Sequence, residues 1–234
     1  MINLSSYKGH SIFALIIAIL FFKNPLLIAL SLIGGNISDF DHKFKKEGVY
    51  KILILGLILF ITLYILKQPL NISLLVIFLG LVFYFSQHRS FTHSIFGVLT
   101  LTATVSLLII SGVNLIGQIH EFNNPYLMIA ILIAILSFLF LNKKVLMIFL
   151  PVFFISIFIL PVKGLNYFNI VFALFLGLFS HVVLDSFTPS GIKLFAPLSS
   201  KKVNKKFGIA MTILLVLLSL ILHFPLILTI FDLV

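Results

Sequence analysis

Cysteine is absent from this 234-residue sequence, and charged residues make up only 9% of it. Without cysteine the chain can form neither a disulfide framework nor a thiolate metal site, so any bound metal must use nitrogen and oxygen ligands. Soluble domains carry roughly 25% charged residues. With 61% hydrophobic residues, the chain holds more apolar surface than a water-soluble core could bury.

Apolar runs close to 20 residues long recur along the whole sequence, about the length that a helix needs to cross roughly 30 Å of hydrocarbon. The run from Ile52 to Phe60 is apolar at every position, whereas transmembrane strands alternate apolar and polar residues. The sequence therefore predicts an all-α, polytopic transmembrane bundle. We expect a single domain over residues 1–234 with about eight to nine membrane segments.

The apolar runs also give the approximate positions of the helices. Helices are predicted near residues 11–22, 25–37, 50–66, 69–86, 93–111, 126–141, 145–161, 166–186 and 207–231. Two stretches resemble linkers, Ser111–Pro125 and Ser186–Lys206. The first two helices span only about 20 Å at roughly 1.5 Å per residue, which is short for a full crossing.

Lys23-Asn24-Pro25 interrupts these two short helices, because proline lacks a backbone donor and disfavours α geometry in the residue before it. We predict a short helical hairpin here. The alternative is one kinked span, which would place His10 and Asp39 on opposite membrane faces.

The basic residues divide unequally between the two ends of this predicted bundle. With the hairpin, 13 of the 16 lysines and arginines fall on one side, and only Lys23, Lys67 and Lys163 on the other. Basic loops are enriched on the cytoplasmic side of membranes, which predicts a plasma (inner) membrane protein with a cytoplasmic amino terminus. The net charge of +10 is then explained by topology and contact with anionic lipid, and no direct nucleic-acid binding is expected.

Polar residues of the kinds that bind metals gather in four clusters, and all four lie at the predicted cytoplasmic face. The clusters are Gly9-His10, Ser38 to His42, His88 to Ser94, and Ser180 to Gly191. Ionisable residues near the membrane are costly and are usually functional. Polar residues without a function would be found at both ends of the bundle. Because all four clusters lie at the same predicted face, we predict that they form one site.

His181 and Asp185 stand four residues apart on a predicted helix, so their side chains share one face. They could bind one metal together, or Asp185 could orient His181 by a hydrogen bond. A purely structural pair is the third interpretation of this spacing.

Asp39, Asp41 and His42 offer two carboxylates and an imidazole, which suit Zn²⁺ or Mn²⁺. We expect Gly34-Gly35 to turn the chain so that these side chains project together. The alternative is a solvated loop or helix cap in which the carboxylates offset the following lysines.

His88 and His93 flank a predicted helix start, for which Thr92 is the expected N-cap. Free amides at that helix start would favour an anion. Arg89, the only arginine, suits bidentate contact with phosphate, although an isolated arginine also serves as a lipid-headgroup anchor. His10 belongs to the site only if the hairpin returns the chain so that Asp39 lies beside it. His120, which we expect in a loop, and His223 are not assigned to the site.

These motifs resemble those of the YdjM-like family, described as LexA-binding inner-membrane proteins with an inferred metal-dependent hydrolase activity. The resemblance runs from residue 9 to about residue 198. It rests on G-H at Gly9, D-x-D-H from Asp39, H-R-S-F-T-H-S from His88 and S-H-x-x-x-D-x-x-T-P-x-G from Ser180. Ser38 stands where the family commonly has proline, a change that removes no ligand. The resemblance implies a site more securely than a reaction.

The leading hypothesis is a membrane-embedded hydrolase that cuts a phosphoester of a lipid or lipid-linked substrate at the cytoplasmic face with one or two divalent ions, Zn²⁺ before Mn²⁺. Arg89 would bind phosphate charge, as would the helix amides near His93, and Asp39 or Asp41 would act as general base. The expected ligands are His10, Asp39, Asp41, His42, His88, His93, His181 and Asp185. The rival hypotheses are an ion- or proton-coupled transporter and a noncatalytic regulatory protein with a structural metal.

Overall fold

The computed structural model of the protein describes residues 7–41, 46–86, 89–120, 124–160 and 162–231. In the described part of the chain 81% of residues are helical and there is no β-strand, which confirms the all-α prediction. The predicted ligands His42 and His88 lie outside the described residues. The same holds for the side chain of Asp41, whose backbone is described.

Nine α-helices and two short 3₁₀ turns make up the described regular structure. The helices are α1 (Tyr7–Phe21), α2 (Pro25–Ile37), α3 (Lys46–Ile65), α4 (Asn71–Phe85), α5 (Ile95–His120), α6 (Pro125–Phe140), α7 (Lys143–Ile159), α8 (Tyr167–Ser186) and α9 (Lys205–Phe231). The 3₁₀ turns are Ser38–Asp41 and Phe91–His93.

Most predicted helix boundaries lie within a few residues of these. One linker prediction was wrong, because α5 continues through residues 111–120 and includes His120. Gly112 does not break the helix there. A Cβ at this position would lie 2.9 Å from the side chain of Leu132 on α6, so the glycine serves close packing between α5 and α6.

Asparagine begins four of the helices. The side-chain oxygens of Asn24, Asn124, Asn142 and Asn166 accept hydrogen bonds from the first-turn amides of α2, α6, α7 and α8. An asparagine at this position satisfies backbone donors that have no partner within the helix. In a chain with so few polar residues, these caps mark where the apolar helices start.

The predicted hairpin of α1 and α2 is confirmed. At the turn, Asn24 Nδ2 donates to Lys163 O at 2.8 Å, which places the turn beside the α7–α8 connection. At the other end of the hairpin, Ser11 Oγ donates to Asn36 Oδ1 at 3.1 Å. Lys23 and Lys163 therefore share one end of the bundle, and His10 lies at the opposite end.

The helices α2 and α8 form the centre of the bundle, and α2 also packs against α1, α6 and α7. A Cβ on Gly177 of α8 would collide with Ser31 O and would lie 2.9 Å from Gly35 N of α2. A Cβ on Gly34 would lie 2.8 Å from Leu174 O. The expectation that Gly34-Gly35 turns the chain was wrong, because both residues lie inside α2 and allow its backbone to approach α8.

Apolar side chains cover much of the outer surface of the bundle. Phe158 on α7 is 88% exposed, and Ile65 on α3 is 70% exposed. Four helices, α3, α5, α8 and α9, are long and apolar enough to cross a membrane by length and composition. Lipid is the medium that such a surface fits, and the number of crossings stays a prediction.

We expect Gly177→Ala to destabilise the protein by about 1–3 kcal/mol or more, because the added methyl group meets backbone atoms that cannot move aside. Thermal unfolding in detergent would measure the loss. Gly117→Ala on α5 is the matched control, since its Cβ would contact only Met128 Cε, at 3.7 Å. Alanine has a higher helix propensity than glycine by about 1 kcal/mol, so this control should leave the stability of the protein unchanged or raise it. Equal behaviour of the two variants would contradict the packing argument.

Candidate metal centre

Five of the eight predicted ligands come together at one end of the bundle. His10 lies in the first turns of α1, Asp39 in the 3₁₀ turn after α2, His93 in the 3₁₀ turn before α5, and His181 and Asp185 in the last turns of α8. All but Asp39 are buried, and the Asp39 side chain is 13% exposed. Residues distant in the sequence thus form one polar cluster, which we call the His-Asp cluster.

His181 is the centre of this cluster. Its Nδ1 lies 2.8 Å from Gly35 O, and because a carbonyl oxygen only accepts, Nδ1 carries the hydrogen. The other nitrogen, Nε2, faces the cluster at 3.1 Å from His93 Nε2. A carbonyl bound to one ring nitrogen is the usual arrangement that orients the other nitrogen toward a metal.

Asp185 reaches the same side of the His181 ring, which confirms that the two residues share a helix face. Asp185 Oδ2 lies 3.6 Å from His181 Nε2 and 3.3 Å from His93 Nε2. Since Gly35 O already fixes His181 Nδ1, Asp185 is not needed to orient that ring. This geometry favours a shared ligand over an orienting partner.

His93 is held by its neighbour Thr92, whose Oγ1 lies 3.1 Å from His93 Nδ1. The prediction that Thr92 caps a helix starting at His93 was wrong. α5 begins at Ile95, and Ser94 Oγ accepts from Gly97 N at 3.1 Å. The hydroxyl three residues before a free helix amide makes the cap, which leaves the Thr92 hydroxyl to face the imidazole.

Two amides at the start of α5 are already hydrogen-bonded, so they are not free to bind an anion as predicted. Gly97 N donates to Ser94 Oγ, and Ile95 N donates to Leu194 O at 2.9 Å. The first bond is local to the helix start, and the second comes from the chain between α8 and α9. Arg89 is therefore the stronger candidate for binding negative charge in this region.

His10 joins the cluster through the hairpin, as predicted. Its ring stacks on that of His181 with centroids 3.8 Å apart and an interplanar angle of 16°. Its Nε2 lies 3.5 Å from Asp185 Oδ1, and its Nδ1 is buried without a hydrogen-bond partner. Asp39 approaches from the other side, with Oδ1 3.7 Å from His181 Nε2.

Arg89 lies at the edge of the cluster. Its backbone is left-handed, with φ of 58°, a conformation that costs a non-glycine residue roughly 1–3 kcal/mol. Its Nη2 lies 3.9 Å from Asp185 Oδ1, and its Nη1 donates to Ser190 Oγ and to Thr188 Oγ1. The strained backbone aims the guanidinium at the cluster, which fits a binding role better than a surface anchor.

Sequence reasoning assigned no role to four residues around the cluster. Thr188 and Ser190 hold Arg89, and the buried pair of Ser11 and Asn36 links α1 to α2 beside the cluster. Asn36 also donates to Leu32 O at 2.8 Å. The sequence did offer a signal for Ser11 and Asn36. An unpaired polar group inside an apolar helix is costly, so their presence there predicts that each has a partner.

Two groups within the cluster could hold a metal ion, His10 with Asp39 and His181, and His93 with His181 and Asp185. In each group the ligand atoms lie within 4.8 Å of one another. His181 is common to both, and with Nδ1 on Gly35 it has one nitrogen to offer. The donors, imidazole nitrogens and carboxylate oxygens, fit a borderline divalent ion such as Zn²⁺.

The chain was also compared with known proteins. The family model described as YdjM inner membrane protein matches residues 6–231, a range that contains every residue of the His-Asp cluster. Neither a curated protein nor a solved structure matches the chain.

We expect Ser94→Ala to cost about 0.5–2 kcal/mol of stability, because the Gly97 amide loses its buried acceptor. Ser94→Thr, which keeps the hydroxyl, should cost less. Thermal unfolding of the two variants in the same detergent would compare them. Equal losses would argue against Ser94 as the cap of α5.

Proposed function

This chain belongs to the YdjM family of inner membrane proteins, and on that premise we propose that its His-Asp cluster is the metal centre of a membrane-embedded hydrolase. The observation that supports this most is the convergence at His181 Nε2. That nitrogen faces His93 Nε2 at 3.1 Å and carboxylate oxygens of Asp185 and Asp39 at 3.6 and 3.7 Å. Buried charges are normally paired or bound to metals.

The primary ion would be held by His93, His181 and Asp185, the group that is buried throughout. Zn²⁺ is the first choice and Mn²⁺ the second, since the donors are nitrogen and oxygen. The ion would supply Lewis-acid activation of water and of a phosphoryl oxygen. Each side chain is held by a neighbour, His181 by Gly35 O and His93 by Thr92 Oγ1.

A second ion would use His10 and Asp39. His181 cannot serve both ions, because its only available nitrogen is Nε2. Asp185 can, because Oδ1 faces His10 at 3.5 Å while Oδ2 faces His93 at 3.3 Å. The remaining predicted ligands, Asp41, His42 and His88, stay proposed ligands of the site.

Arg89 would bind the charge of a phosphoester beside the ion. Its Nη2 lies 3.9 Å from Asp185 Oδ1, so a group bound by this guanidinium would also adjoin the primary ligands. With two of the first amides of α5 occupied, Arg89 is the group that we assign to this role. Asp39, partly exposed at the cluster, is the carboxylate best placed to act as general base when it is not a ligand. Asp41 is the alternative candidate for the general base.

The short hairpin favours a lipid or lipid-linked substrate. α1 has 15 residues and α2 has 13, or about 20 Å at roughly 1.5 Å per residue, against roughly 30 Å of hydrocarbon. With Lys23 at one interface, the His10 end of the hairpin lies within the hydrocarbon thickness of the opposite leaflet. A lipid headgroup reaches that depth more readily than a soluble substrate, and positive-inside bias assigns this leaflet to the cytoplasmic side.

The position of the cluster favours hydrolysis over transport. Carriers bind their ions near the middle of the membrane, commonly where helices are broken. Here the ligands lie in the first turns of α1, the last turns of α8 and the adjoining 3₁₀ turns. Polar groups at one end of the bundle suit a reaction at one face.

We expect the protein purified without chelators to retain a divalent ion, and His93→Ala and His181→Ala to lower its metal content about twofold or more, because each removes a ligand of the primary ion. Mass spectrometry of the metal would measure this. His223→Ala is the matched control, because His223 bonds to Ser219 O on α9, away from the cluster. Wild-type protein without a bound ion would contradict the metal centre.

We expect Arg89→Lys to lower kcat/KM for a phosphodiester such as bis(4-nitrophenyl) phosphate about 10- to 100-fold, because lysine cannot bind phosphate bidentately. The metal content should stay unchanged. Steady-state hydrolysis in micelles measures the first quantity and metal analysis the second. A metal-loaded wild type that hydrolyses no phosphoester would favour the noncatalytic protein with a structural metal.

A further inference from the structure

The chain between α8 and α9, residues 187–204, is held firmly against the end of the bundle that carries the His-Asp cluster. We call it the α8–α9 loop. Ile192 and Val203 form an antiparallel bridge with N to O distances of 3.1 and 2.9 Å. Leu194 O accepts from Ile95 N at 2.9 Å. These bonds fix which side of the loop faces the protein.

Buried and exposed apolar side chains both occur along this loop. Ile192, Leu194 and Ala196 are buried, at 1%, 7% and 3% exposure. Phe195 is 50% exposed and Leu198 is 79% exposed. The buried residues anchor the backbone, and Phe195 and Leu198 are the large apolar side chains that the loop leaves exposed.

Lysines flank these two apolar residues in the sequence. The sequence contains no Asp or Glu between Asp185 and Asp232. Within the described part of the chain, none of the lysines of this segment pairs with a carboxylate. Four are exposed and the first is partly buried. They are Lys193, Lys201, Lys202, Lys205 and Lys206.

We propose that the α8–α9 loop is a docking surface for the headgroups of anionic phospholipids, with Phe195 and Leu198 inserted among the acyl chains. Basic residues bind the negative surface of a leaflet, and aromatic residues settle at its interface. An acidic protein or a nucleic acid would match the lysines but would leave the two apolar side chains in water. A leaflet of anionic lipid matches both features.

The docking surface adjoins the His-Asp cluster. The loop begins two residues after Asp185, and its Ser190 accepts a hydrogen bond from Arg89. A headgroup bound by the loop lysines would therefore lie beside the edge of the cluster at Arg89. The proposal rests on exposure and charge alone and holds whether or not the cluster binds a metal.

Tryptophan is absent from the chain, so Phe195→Trp creates a single fluorescent probe at the tip of the loop. The full-length variant would be reconstituted in phosphatidylcholine vesicles with brominated acyl chains, with and without phosphatidylglycerol. We expect bromine to quench the tryptophan, and phosphatidylglycerol to deepen the quenching about twofold. Leu198→Trp should show the same quenching by bromine and the same response to phosphatidylglycerol. This second probe position keeps the test valid if one of the two variants misfolds.

Lysine variants test the role of charge. Adding Lys201→Gln and Lys202→Gln to the probe should remove the increase that phosphatidylglycerol causes. Lys143→Gln with Lys144→Gln is the matched control, because it removes the same charge from exposed lysines at the start of α7, at the same end of the bundle. That control should keep the increase.

Three results would overturn the proposal. The first is a tryptophan at both positions that emits as in water and that brominated chains do not quench. The second is equal quenching with and without phosphatidylglycerol, or its loss in the control pair as well. The third is protection of the probe by polyglutamate or RNA in detergent with no response to phosphatidylglycerol, which would assign the surface to a different partner.

Discussion

The close approach of three backbones at Gly35 and Gly177 is the constraint on which the rest of this structure depends. Gly177 gives α8 room against Ser31 and Gly35 of α2, and a Cβ on Gly35 would lie 2.5 Å from Ala14 Cβ of α1. At this level the His181 ring reaches Gly35 O, and the His10 ring stacks on His181. Larger residues at either glycine would separate the helices that carry these rings.

The apolar surroundings explain why the cluster is so tightly organised. Inside a membrane protein a polar group without a partner costs free energy that water cannot offset. Here each imidazole nitrogen of the cluster except His10 Nδ1 faces a carbonyl, a hydroxyl, a carboxylate or another imidazole. Two carboxylates among three imidazoles balance in charge when a divalent ion is bound, which connects the packing to the proposed chemistry.

Connections at the cluster end of the bundle carry as much of the proposed function as the helices do. Arg89 reaches Asp185 from a left-handed turn, and Leu194 O of the α8–α9 loop accepts from Ile95 N, the first amide of α5. The loop thus occupies one donor of this helix start, and Arg89 is the cation beside the proposed ligands. The same loop turns Phe195 and Leu198 outward, where lipid would meet them.

The sequence by itself determined the helical class and most of the helix positions, and it included His10, Asp39, His93, His181 and Asp185 among eight predicted ligands. Apolar runs of membrane length, proline at a helix start and the one-sided placement of scarce polar residues carry that information locally. Tertiary structure alone decided that Gly34 and Gly35 serve packing, that Ser94 rather than Thr92 caps α5, and that Gly112 continues it. Each of these depends on which side chain or backbone from a distant helix occupies the neighbouring space, and such contacts leave no periodic signal in the chain.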